Sequence, residues 1–96
     1  MGAATFFVEA KGTTAKEAFQ NAILNTRHQI CFGGYSGTIA EKDNFIMISL
    51  PVDENPLDYA NKLIYAEDKR INNKWGPAGC IKIREKEYLF FGWASI

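Results

Sequence analysis

The chain has 96 residues, 11 Lys and Arg against 11 Asp and Glu, 47% hydrophobic residues and 14% aromatics. That length leaves room for one domain, residues 1–96, burying roughly 65% of its unfolded surface, and the composition excludes a disordered chain. Zero net charge argues against a dedicated nucleic-acid binder, which draws on an excess of Lys and Arg to meet phosphates.

The apolar runs FIMISL and YLFFGW are far too short to span a bilayer, so no membrane partner is expected. MGAATFFVEAKG has neither a basic n-region nor a long apolar h-region, so a cytoplasmic placement without a signal peptide is expected. Met-Gly lacks the Ser or Thr that myristoylation requires at position 6, which is Phe6. Two cysteines, Cys31 and Cys80, do not make a disulfide framework and read as packed thiols. His28 and Cys31 form an H-x-x-C pair, but zinc needs three or four ligands at tight spacing, so no metal and no cofactor is expected.

Thr5 to Glu9 (TFFVE) predicts the first strand. Thr14 with Glu17 three residues on has capping-box spacing, and Ala15, Ala18, Phe19, Ala22 and Ile23 recur at helical spacing. A helix is predicted from Ala15 to His28. Gly33, Gly34 and Gly37 then break it. Thr38 to Lys42 and Phe45 to Leu50 read as a hairpin about Asp43-Asn44. Asn55 caps a second helix with Pro56 in its first position and Asp58 in its first turn, ending near Asp68. Asp58 and Lys62 are expected as a solvent-side pair. After the NNKWGPAG loop, CIKIR and YLFFGWA flank a Glu85-Lys86-Glu87 turn. The order is β-α-β-β-α-β-β. It implies an α+β fold, an antiparallel sheet with both helices on one face, the ferredoxin-like or split βαβ plan with an extra terminal strand.

A sheet covered on one face should alternate apolar and polar residues. CIKIR does. Phe6-Phe7-Val8, Phe45-Ile46-Met47-Ile48 and Leu89-Phe90-Phe91 do not, and with both helices on one face they would leave an aromatic face bare. Such a patch marks an interface, so a homo-oligomer packed sheet to sheet is expected.

Two segments carry candidate chemistry. GGYSG has glycines that let backbone N–H groups face an anion, though it lacks the Gly-Lys-Ser/Thr ending of a P-loop and enters a strand. Around it, Arg27, Gly34, Tyr35, Ser36 and Thr38 gather a cation, a ring and two hydroxyls. In KWGPAGC, Trp75 beside Lys74 is either a lid on the core or a stacking platform for an anionic aromatic ligand such as a nucleotide. The inventory for catalysis is thin. His28 has no nucleophile partner that spacing identifies, and Glu41 with Asp43 reads as a solvated turn, so no catalytic residue is assigned. An RNA-binding sheet of the ribonucleoprotein type would need a basic-Gly-Phe-Gly-Phe signature, which is absent.

GGYSGTIAEK, KWGPAGC and the closing FFGWAS resemble a pattern found in small proteins of phages and other prokaryotic genomes, over nearly the whole chain. The resemblance carries no assigned activity. It implies a phage or mobile-element setting, where small proteins act in the host cytoplasm as counter-defence factors. The expectation is a non-catalytic binding protein that sequesters a small anionic, nucleotide-like ligand as a homo-oligomer. The alternative is a protein-interaction module that inhibits a host protein through its aromatic sheet face.

Overall fold

The computed structural model describes residues 2–29 and 37–95, with the backbone alone at positions 28 and 29. The TFFVE run sits inside β1 (Ala3–Lys11). Gly12 turns the chain where a side chain would collide: a Cβ there would lie 2.4 Å from the Ala18 nitrogen. α1 (Ala15–Gln29) starts where the Thr14–Glu17 spacing predicts. Thr14 Oγ1 accepts the Glu17 N–H at 3.2 Å, and the Glu17 carboxylate accepts the Thr13 N–H at 2.9 Å. The return bond lands one residue before the cap, a variant of the reciprocal capping box.

Thr38 to Lys42, predicted as a strand, instead contains a 3-10 turn (Ile39–Glu41). Thr38 caps it by accepting the Ala40 N–H at 3.2 Å, and Ile39 is buried. The predicted hairpin about Asp43-Asn44 therefore gives way to a single short strand, β2 (Phe45–Met47). α2 (Pro56–Tyr65) follows the Asn55 cap, whose Oδ1 accepts the Leu57 and Asp58 N–H groups at 2.9 and 3.2 Å. Lys62 bonds Glu54 at 2.9 Å, and the expected solvent-side pair with Asp58 is present only as a weaker charge attraction. β3 (Ala78–Arg84) and β4 (Glu87–Ser95) form the predicted closing hairpin, with Lys86 left-handed at φ 64.

The α+β class follows the expectation, as does the succession of helices and strands with the 3-10 turn in the place of the third predicted element, and two further features depart from it. The four strands lie in the order β1-β4-β3-β2, and β2 runs parallel to β3. Parallel neighbours need a crossover, and α2 supplies it. The helices also cover opposite faces. Successive strand residues point to opposite sides of a sheet. Tyr88, Phe90 and Ala94 of β4 pack with Phe6, Ala10, Ala18, Phe19 and Ala22 on the α1 side. Leu89 and Phe91 pack with Ala60, Leu63 and Ile64 of α2, together with Ile48, Ile71 and Ile81. The ferredoxin-like plan, with both helices on one face, is thereby corrected. So is the bare aromatic face in its greater part: Leu89 and Phe91 are buried beneath α2, while Phe7 of β1 stays 36% exposed beside it. Each such buried side chain stabilises the fold by about 1.5–3 kcal/mol.

Candidate functional site

Lys42 follows the 3-10 turn and is 4% exposed. Its Nζ donates to the carbonyls of Asn73, Lys74 and Gly76 at 3.3, 3.2 and 2.9 Å. An ammonium has three protons, and here three acceptors meet them. Desolvation pushes its pKa below the ordinary lysine value, while the charge strengthens each of the three bonds. The carbonyls it collects belong to the loop that presents Trp75.

That loop is also fixed from within. Asn73 Oδ1 accepts the Trp75 N–H at 2.8 Å, and the Asn73 carbonyl accepts the Gly76 N–H at 2.9 Å. This is the local bonding by which Asn replaces a backbone turn. On this frame Trp75 is 62% exposed, which removes the core-lid reading. Lys74 Nζ lies 5.4 Å from the Trp75 ring centroid, within cation–π range. It also donates to the Gly2 carbonyl at 3.3 Å, tying the loop to the start of β1.

Thr38 belongs to the same end of the sheet. The preceding Gly37 N–H donates to the Ser95 carbonyl at 2.8 Å, and Ser95 pairs with Ala3 at the start of β1. Thr38, Lys74 and Trp75 are thus brought to one end of the molecule, with Lys42 as the link between their segments. Arg27 is exposed on the last turn of α1. Gly34, Tyr35 and Ser36 lie outside the described residues, and the GGYSG cradle with them. Lys42 is the residue that sequence reasoning missed. Nothing in GTIAEKDNF marks a lysine as buried, because its acceptors come from a loop more than thirty residues away.

Beside this end, Phe19, Phe45 and Phe90 form a ring cluster with centroids 5.0 to 5.6 Å apart. Phe19 and Phe45 line a groove of about 390 Å³ between α1 and β2, rimmed by Lys16 and Asp43. Cys80 is buried, and desolvation pushes its thiol up to about 12, which keeps it protonated and unreactive. Among the described residues no three His, Cys, Asp or Glu side chains gather to hold a metal, and the His28 side chain and Cys31 lie outside them. No helix among the described residues is long and apolar enough to cross a membrane. Comparison with protein-family models, curated proteins and solved structures gave no match.

Proposed function

We propose that the chain is a non-catalytic binding protein that takes a small anionic, nucleotide-like ligand at its Lys74–Trp75 loop. The observation that carries this reading is an indole 62% exposed on a backbone pinned by three bonds from buried Lys42. An aromatic platform held still before binding loses little freedom on stacking, so more of the stacking energy becomes affinity. The Lys74 ammonium, 5.4 Å from the ring centroid, supplies a positive charge beside the platform for an anionic group. Thr38, whose hydroxyl caps the 3-10 turn, lies at the same end. Arg27, Gly34, Tyr35 and Ser36 complete the proposed contacts. Zero net charge suits a small anion better than a polyanion, whose binding rests on many phosphate contacts. In the phage setting that the sequence resembles, the protein would act in the host cytoplasm as a trap for a nucleotide signal.

The alternative expectation, a host protein docked on the aromatic sheet face, draws less support, because Leu89 and Phe91 of that face lie under α2. The ligand reading holds for a single copy of the chain and does not depend on self-association. Calorimetric titration of cyclic and linear mono- and dinucleotides tests it. At least one should bind, and Trp75→Ala should weaken that binding by roughly 1–3 kcal/mol. Lys74→Ala should weaken it by an amount that shrinks with salt, since exposed charges are screened within about 10 Å. Absence of binding by every nucleotide contradicts the reading.

A further inference from the structure

Among the described residues, β1 is the long edge of the sheet. Its register with β4 runs without a shift from Ala3 opposite Ser95 to Lys11 opposite Glu87. It contains no proline, and no bulge interrupts it. Natural edges are usually shortened, bulged, covered or broken by proline, because their unpaired N–H and C=O groups template pairing with another chain. The opposite edge, β2, is only three residues long. α2 is set back from β1 and leaves a groove of about 410 Å³ along it. Phe7, Ile64, Tyr65 and Trp93 line this groove, with Phe7 36% and Tyr65 86% exposed.

We propose that β1 pairs antiparallel with β1 of a second copy of this chain, joining two four-stranded sheets into one of eight. The charge pattern along the strand suits a second copy and fixes its orientation. Pairing Ala3–Lys11 antiparallel with itself puts Phe7 on the two-fold axis, with the Lys11 carbonyl at the strand end keeping its bond from the Asn21 side chain at 2.9 Å. It sets Glu9 opposite Thr5 and Lys11 opposite Ala3, so no like charges meet. Parallel in-register stacking would oppose Glu9 to Glu9 and Lys11 to Lys11, which destabilises a strand pair. The two Phe7 rings meet across the axis on the α2 side, where Tyr65 and Trp93 extend the apolar surface. Because the second edge is so short, association closes at two copies. The proposal uses a different surface from the Lys74–Trp75 loop and is independent of the ligand reading.

Sedimentation velocity of the full chain over a wide concentration range should show a monomer–dimer equilibrium. Phe7→Lys, which places two ammonium groups on the axis, should abolish the dimer while the circular dichroism spectrum and cooperative melt persist. A disulfide test in a Cys31→Ser background keeps the proposal testable if that variant unfolds. Phe7→Cys should give a covalent dimer with oxidised glutathione. Glu9→Cys should not, because its two copies would sit four residues apart along the strands, roughly 13 Å. A wild type that stays monomeric throughout, a folded Phe7→Lys that remains dimeric, or a Phe7→Cys that does not cross-link each overturns the proposal.

Discussion

The Lys42 ammonium donates to the Gly76 carbonyl at 2.9 Å, joining residues 34 positions apart through one buried charge. The same nitrogen serves the carbonyls of Asn73 and Lys74. Lys42→Met keeps the apolar stem and removes the donor, leaving the Lys74 and Gly76 carbonyls to find new partners while the Asn73 carbonyl keeps the Gly76 N–H. A stability loss of about 1–3 kcal/mol is expected, the scale of losing hydrogen bonds made by a charged donor. It should appear in chemical denaturation together with faster proteolysis within residues 72–77. Unchanged stability and unchanged proteolysis would show that the loop holds itself.

Phe19 and Leu63 belong to different cores, one under α1 and one under α2. Phe19→Ala should cost about 3–5 kcal/mol and Leu63→Ala about 2–5 kcal/mol, as buried large-to-small changes do. Since the sheet separates them, the double variant should show the sum within roughly 0.5 kcal/mol. The check is denaturant unfolding of both single variants and the double variant. Strong coupling between the two sites would place both helices against one core.

Gly79 stands opposite Phe91 where β3 and β4 pair. A Cβ there would come within 2.7 Å of Phe91 Cζ and 3.0 Å of Ile48 Cδ1. Gly79→Ala should therefore destabilise by about 1–3 kcal/mol through overpacking. Gly79→Ala combined with Phe91→Leu should recover part of that loss in a thermal melt. No loss from the single change would mean that Phe91 does not cover this strand.

Burial raises the Cys80 thiol from 9.0 to about 12. The unfolded chain then gives up this proton at lower pH than the folded one does. Below pH 9 the stabilisation is fully present, and it falls as pH rises between 9 and 12, by up to about 1.4 kcal/mol per pH unit. Urea midpoints measured across this range should decline more steeply for wild type than for Cys80→Ala. Parallel declines would remove Cys80 from the titration.

The local signals in the sequence describe local structure well. Thr14 with Glu17 marks the start of α1, Asn55-Pro56 marks that of α2, and the Glu85-Lys86 turn separates two paired strands. Each of these depends on residues within four positions of one another. What pairs with what was less legible. Thr38 to Lys42 is polar and β-branched enough to resemble a strand, but Thr38 caps a 3-10 turn instead, and β2 finds its partner beyond α2. The doubly apolar runs Phe45-Ile46-Met47-Ile48 and Leu89-Phe90-Phe91 did carry the missing information, since Phe45 and Phe90 pack on the α1 side and Ile46, Ile48, Leu89 and Phe91 on the α2 side. An apolar side chain on each face is what a sheet between two helical layers needs. At the candidate site, Lys74 and Trp75 were legible as an unusual pair. Lys42 was not, since its role exists only once the loop has folded over it.

Heteronuclear correlation spectra of the full chain, recorded while a binding nucleotide is titrated in, test the ligand site most directly. The account predicts that the Trp75 indole N–H, the amides of residues 73–76 and that of Thr38 shift together and saturate at one affinity. Shifts confined to the Phe19–Phe45 groove or to the β1 edge, with Trp75 unmoved, would contradict it.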